Sequence, residues 1–161
     1  MKEVKYLRLI IAKGEIQMNP VKISVIVNWK AFICVKDIQS FLGFANFYWW
    51  FIKEFSQLVS PLTALTCKNI KFNWNATEKQ TFQTLKTAFS SASILVMFDS
   101  DKPFTVKSDS SDCVTDKVLS QPDSQGVLYS VTYFSTWMAS AECNYDIYNK
   151  ELLAIICAFE E

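Results

Sequence analysis

Two acidic side chains stand where they could hold a cation. Asp109 closes the run Pro103-Phe104-Thr105-Val106-Lys107-Ser108-Asp109, and Glu151 lies in Lys150-Glu151-Leu152-Leu153-Ala154. Carboxylate oxygens are hard donors suited to Mg²⁺, an ion that generates a nucleophile from water and stabilises a leaving oxygen. The two acids are far apart along the chain, so the intervening elements must bring them together.

Those elements are legible from their periods. In the first run Phe104, Val106 and Ser108 fall on one face of a strand, and Thr105, Lys107 and Asp109 on the other, with Asp109 at the end beside a Ser-Ser-Asp turn. Val114 to Gln121 and Val127 to Ser135 are rich in Val, Leu, Tyr, Phe and Thr. Pro122-Asp123-Ser124-Gln125-Gly126 between them is a turn by composition, so three antiparallel strands follow one another. From Tyr145 the period changes. Tyr148, Leu152, Ile155 and Phe159 recur at helical spacing, which predicts a helix burying that face on the sheet with Glu151 beside the seam. A strand carboxylate and a helix carboxylate are then expected to share a metal ion.

Five stretches carry a family resemblance: Lys102-Pro103-Phe104, Ser108-Asp109-Ser110-Ser111-Asp112, Val118-Leu119-Ser120-Gln121, Ala141-Glu142-Cys143-Asn144-Tyr145 and Lys150-Glu151-Leu152-Leu153-Ala154-Ile155. Together they resemble the start of the ribonuclease H domain in the Pol polyprotein of Gypsy-type LTR retrotransposons. The resemblance implies that Asp109 and Glu151 match the first two catalytic, metal-binding carboxylates of that family, with Mg²⁺ as cofactor.

Composition sets bounds on this reading. Half of the 161 residues are hydrophobic, which argues against disorder. Sixteen basic and sixteen acidic residues cancel, so no strong overall field draws the chain to nucleic acid. Arg8 is the only arginine, and the forked group that grips phosphate is therefore almost absent. Five scattered cysteines, no Cys-x-x-Cys pair and no histidine speak against zinc and for reduced thiols in an intracellular protein, cytoplasmic or nuclear. No secretory leader or membrane-length apolar run is present, so no membrane partner is expected.

Toward the N-terminus, Val4 to Ile11 and Glu15 to Met18 flank Ala12-Lys13-Gly14 as a hairpin. Val21 to Trp29 reads as a short helix with Ile23, Ile26 and Val27 inward, and Val35 to Leu42 as a helix stopped near Gly43. A second helical run spans Phe44 to Phe55, and a third spans Leu58 to Leu65 with Pro61 in its first turn. Phe41, Phe44, Phe47 and Phe51 are expected in the core. Adjacent Trp49 and Trp50 cannot both face inward on a helix, so at least one is expected at the surface. Phe41 to Tyr48 and Pro61 to Leu65 look like the thumb of the same polymerases, whose helices lie along the template-primer duplex. Asn75-Ala76-Thr77-Glu78 has capping-box spacing and opens a helix with Phe82, Leu85 and Phe89 on one face, ending near Ser90-Ser91. With Phe72-Asn73-Trp74 before it and a strand Ile94 to Phe98 after it, this resembles the family's connection segment.

The expected architecture is α+β: an N-terminal β-hairpin and small helical layer, followed by an incomplete ribonuclease H-like three-stranded antiparallel sheet with one packed helix. Residues 1–66 form the palm-end hairpin and thumb-like helices, and residues 67–161 the connection and the ribonuclease H-like part. Partners implied by the resemblance are a template-primer duplex or RNA-DNA hybrid and the remainder of the Pol polyprotein. Cutting the RNA strand in line calls for two Mg²⁺ ions about 4 Å apart, held by a cluster of carboxylates of which the chain matches Asp109 and Glu151. No Tyr-x-Asp-Asp occurs, so nucleotide addition is excluded. Asp112 and Asp116 read as turn or solvent-facing acids. The chain is expected to be inactive alone, the alternative being a relic that binds nucleic acid or a partner without catalysis.

The family favours Gly at Arg8, Asp at Asn19, Arg at Trp49 and Trp50, Pro at Ser93 and Ser140, Glu at Lys107, Gly at Asp116, His at Tyr129 and Asp at Asn149. Each change is reachable by one C-to-T or G-to-A transition, the pattern of a copy altered by cytosine deamination. Lys117 stands where the family has Ala, and could pair with Asp109.

Overall fold

The computed structural model describes residues 3–160. It builds a helical layer around one core and sets a three-stranded sheet against it, with a last helix on the sheet's far side.

The N-terminal hairpin is a three-stranded meander: β1 (Val4–Tyr6), β2 (Leu9–Ala12) and β3 (Glu15–Met18). The expected single strand from Val4 to Ile11 breaks because Leu7 and Arg8 take left-handed backbone, φ 43° and 71°. Arg8 stands where the resembled family favours Gly, the residue that adopts that conformation without strain. Its guanidinium sits 5.2 Å from the Phe47 ring and its carbonyl accepts from the Tyr48 hydroxyl at 3.3 Å. β4 (Leu95–Val96) adds to β3 from much later in the chain.

Asn19 caps α1 (Pro20–Val27) by accepting from Val21 N at 2.9 Å. Ile26 is fully buried and Ile23 packs on the core, whereas Val27, expected inward, is exposed because the chain leaves the helix there. α2 (Val35–Ala45) runs through Gly43 rather than stopping at it. A helical Gly costs about 1 kcal/mol relative to Ala, and burial of Phe41, Leu42 and Ala45 on either side outweighs that. The expected second helix is a shorter 3₁₀ segment, Asn46–Phe51. That tighter winding leaves Phe47 exposed, contrary to expectation, and Phe44 only partly buried. It also lets Trp49 and Trp50 both be half-buried, so neither is the exposed ring expected. Trp49 lies edge-on to Phe134 at 5.5 Å, and Trp50 Nε1 donates to the Phe47 carbonyl at 3.2 Å.

α3 (Phe55–Ala64) begins earlier than expected, at a left-handed Glu54, so Pro61 falls inside the helix instead of in its first turn. Glu78 Oε2 accepts from Asn75 N at 3.0 Å at the start of α4 (Ala76–Ser90), whose Phe82, Leu85 and Phe89 are buried. Phe32, Phe41, Trp74 and Phe82 form an aromatic cluster at its centre, with centroids 4.6 to 6.1 Å apart. α4 and β4, read with the connection, thus pack into the same core as α1 to α3.

The second sheet has the order β5-β6-β7: β5 (Thr105–Ser111), β6 (Val114–Pro122) and β7 (Leu128–Trp137), all antiparallel. Ser56 ties α3 to it, its N donating to Ser135 Oγ at 2.9 Å and its own Oγ donating to the Ser135 carbonyl at 2.7 Å. α5 (Ile147–Glu160) covers the other face near β5. Its inward stripe is Lys150, Leu153, Ala154, Cys157 and Ala158, while Tyr148, Leu152, Ile155 and Phe159, the face expected to be buried, are exposed. Small Ala154 and Ala158 let the helix backbone approach a narrow sheet, and the large side chains are left outside. None of the helices of the described residues is long and apolar enough to cross a membrane.

Candidate metal site

Asp109 is not the last residue of its strand as expected; β5 continues to Ser111 before the turn Asp112-Cys113. The alternation of β5 puts Lys107, Asp109 and Ser111 on one face and Val106, Ser108 and Ser110 on the other. The first face looks toward the start of α3, where Gln57 Nε2 meets Ser111 Oγ. The second lies under α5, where Val106 and Ser108 share a groove with Ile155 and Ala158. Asp109 is exposed, and its Oδ1 accepts from the next N–H, that of Ser110, at 2.8 Å.

Glu151 is exposed on the first turns of α5. The residue before it, Lys150, donates from Nζ to the Asp112 carbonyl at 2.7 Å, which anchors this part of α5 on the β5–β6 turn. Asp109 and Glu151 are thus carried on elements that pack against each other, β5 and α5, but Asp109 stands on the sheet face turned away from α5, and Glu151 does not line the Asp109 cleft. Among the described residues, no group of three or more His, Cys, Asp or Glu comes together as a metal site.

Asp116 is the acid that the sequence reading placed wrongly. It is half-buried directly opposite Asp109 in the β5–β6 register, not solvent-facing. Burial pushes its carboxyl above the usual range; a hydrogen bond from Ser135 opposes this, and the Glu54 and Asp109 charges add to it. Its Oδ1 is buried without a partner. Asp109, Asp116, Lys107, Lys53 and Glu54 line one small cleft of about 180 Å³. Lys53 pairs with Glu54 at 2.9 Å, and that pairing raises the Lys53 pKa.

Lys117 does not pair with Asp109. It lies opposite Ser108, so it points to the α5 side of the sheet, where it is only 3% exposed and lines a cavity with Glu142 and Glu160. Asp112 occupies the turn, exposed and left-handed at φ 39°, as expected.

Cysteine usage also differs from expectation. Cys113 in the β5–β6 turn and Cys143 before α5 form a disulfide, Cα–Cα 4.7 Å, instead of two reduced thiols. The turn after Asp109 and the segment leading to Glu151 are thereby joined covalently. Sequence spacing could not reveal the pair, because proximity across the sheet end is a tertiary property.

On the helical layer, the aromatic residues serve packing. Lys86 is drawn into it too, with Nζ donating to the Trp29 carbonyl at 2.7 Å and lying 4.4 Å from the Phe82 ring centre. Partial desolvation lowers its pKa.

A protein-family model described as the RNase H-like domain found in reverse transcriptase matches residues 74–161. The Transposon Tf2-3 and Tf2-4 polyproteins of Schizosaccharomyces pombe (strain 972 / ATCC 24843) are each 35% identical to the chain over 134 residues. Those matches cover 83% of the chain and 10% of each polyprotein, so it spans a small part of the relatives' length. A solved foamy viral protease-reverse transcriptase in complex with dsDNA superposes with TM-score 0.84 at 22% identity, over 99% of this chain and 33% of that one. The same viral protein in complex with an RNA/DNA hybrid gives TM-score 0.81 at 22% identity, over 98% of this chain and 21% of that one. At that identity the likeness shows a shared fold.

Proposed function

This chain belongs to the family of RNase H-like domains found in reverse transcriptases, and from that premise we propose that it is part of a Gypsy-type retrotransposon Pol polyprotein that holds an RNA-DNA hybrid and supplies two ligands, Asp109 and Glu151, to a Mg²⁺ site. What supports this reading is that both acids lie inside the matched residues 74–161, Asp109 on β5 and Glu151 on the α5 helix that packs against it. Both are exposed oxygen donors, which suits Mg²⁺. The bound ion would supply an activated water and charge stabilisation at a leaving oxygen.

The donor set fits one loosely held ion and not a pair. Two carboxylates leave a two-ion site short of ligands, and no third acid, Cys or His joins them among the described residues. Nearby Lys107, on the same strand face as Asp109, competes with a cation for that carboxylate. No hydrolytic step is therefore assigned to this chain. Its own residues position: α3 and β7 clamp through Ser56 and Ser135, Lys150 fixes the helix on the turn, and the Cys113–Cys143 link spans the site.

The test is fluorescence anisotropy with a labelled RNA-DNA hybrid, with and without Mg²⁺, followed by a gel for cleavage. Wild-type chain is expected to bind at low salt, more tightly with Mg²⁺, and to leave the RNA intact. Asp109→Asn and Glu151→Gln are expected to lose the Mg²⁺ enhancement while keeping metal-free binding. Absence of hybrid binding, or an enhancement equal in both variants, overturns the ligand assignment. Mg²⁺-dependent cutting that vanishes in Asp109→Asn overturns the non-catalytic part.

A further inference from the structure

Residues 139–146 join β7 to α5, and among the described residues every hydrogen bond they make lies within the loop or the first turn of α5. Ala139 N donates to Glu142 Oε2 at 2.6 Å, and Glu142 N and Cys143 N donate to the Ala139 carbonyl at 2.9 and 3.1 Å. Asn144 Nδ2 donates to the Ser140 carbonyl at 3.2 Å. Hydrogen bonds to the sheet stand on either side of the loop. Met138 N donates to the Cys113 carbonyl at 2.8 Å, and Lys150 Nζ to the Asp112 carbonyl at 2.7 Å. Between those two points the bond that ties the loop to the sheet is covalent, Cys143 to Cys113.

Glu142, beside Cys143, forms part of one wall of the cavity of about 350 Å³ that holds Lys117. Thr115 and Thr136 of the sheet and Leu153 of α5 form other walls, and Lys117 itself is 3% exposed.

We propose that Cys113–Cys143 is a reversible clasp that holds the 139–146 loop over the Lys117 amine and, opened by a dithiol, releases the loop while the sheet stays folded. A thiolate of the dithiol attacks Cys143 Sγ, which is partly exposed. The S–S bond breaks, and Cys113 leaves as a thiolate that takes up a proton. The second thiol of the reductant then displaces Cys143 from the mixed disulfide. Two electrons and two protons reach the cysteines, and the dithiol becomes a disulfide. No hydrogen bond of the sheet or the loop is broken in this exchange, so the change is local. With Met138 and Lys150 still attached to the sheet, the freed loop carries Glu142 off its wall of the cavity. Hydration of the amine beneath favours that open position.

The clasp needs neither nucleic acid nor Mg²⁺, so its failure is distinguishable from failure of the hybrid-binding reading. Its test is acetylation of the folded chain by an N-hydroxysuccinimide ester, read at Lys117 by peptide mass spectrometry, before and after dithiothreitol reduction and desalting under argon. Reduced wild type is expected to be labelled at Lys117 at least about tenfold faster than oxidised, the size of a local opening. Exposed Lys36 should be labelled equally in both states, and the circular dichroism of the sheet retained. Reoxidation by glutathione disulfide is expected to restore the slow rate. Cys143→Ser is expected to be labelled fast in either condition, and Cys67→Ser, which removes an exposed free thiol, to keep the dependence on dithiol. Equal Lys117 rates in oxidised and reduced wild type, loss of the sheet signal on reduction, or no recovery on reoxidation overturns the clasp.

Discussion

Asp109 and Asp116 face each other across β5 and β6, two acids in one register position on the side of the sheet that meets the helical layer. The exposed one is the proposed metal ligand. The half-buried one is raised in pKa by desolvation first, then by Glu54 and by Asp109 itself. A Gly at Asp116, which the resembled family favours, would remove this burden.

Asp116→Asn should therefore stabilise the chain at neutral pH by roughly 1 kcal/mol, the scale of an unpaired buried acceptor. The sign follows from linkage. With its folded pKa above the unfolded value, Asp116 binds more protons in the folded state, so its contribution is most favourable below the ordinary carboxylate range. That contribution is lost as pH rises through the raised pKa. Urea unfolding at neutral pH should show the variant's gain, and unfolding at pH below the carboxylate range should show it reduced. An equal gain at both would refute the assignment.

Breaking the Cys113–Cys143 link should cost the second sheet much of its stability. The cysteines are 30 residues apart, and a loop of that size is worth about 3–4 kcal/mol of unfolded-state entropy. Chemical denaturation of wild type with reductant, or of Cys143→Ser without it, should show a midpoint lowered to the same degree in both. No response to reductant in wild type would contradict the link.

Ser135→Ala should loosen the sheet from the helical layer. It removes the acceptor for Ser56 N and the hydroxyl that bonds Asp116, leaving part-buried groups unpaired at about 1–3 kcal/mol. Hydrogen exchange should quicken at Ser56 and along β7, with α4 unchanged. Uniform quickening across the chain would mean global destabilisation instead.

Phe82→Ala should be the most damaging of these substitutions. The ring touches Phe32, Phe41 and Trp74 at the centre of the first core, and large-to-small changes of this kind cost about 3–5 kcal/mol. Loss of the cooperative thermal transition is the expected readout. A shift no larger than that of Ser135→Ala would place the core elsewhere.

Much of the element order was readable locally. The capping box at Asn75, the apolar face of α4 and the strand runs of β6 and β7 follow from neighbouring residues alone. The break at Leu7-Arg8 was not, because Arg gives no sign of a left-handed backbone. The inward face of α5 was misread for a different reason: periodicity finds a large apolar stripe, but the narrow sheet accepts the small one through Ala154 and Ala158.

Sequence alone determined which residues carry oxygen donors of the kind a hard cation takes, where most strands and helices run, and to which family their order belongs, since these depend on side-chain chemistry and short-range spacing. Only tertiary structure decided that Asp116 stands opposite Asp109, that Lys117 points away from it and that Cys113 meets Cys143. Those outcomes depend on strand register and on which face a helix covers. Both are set by long-range packing, to which no local stretch of chain has access.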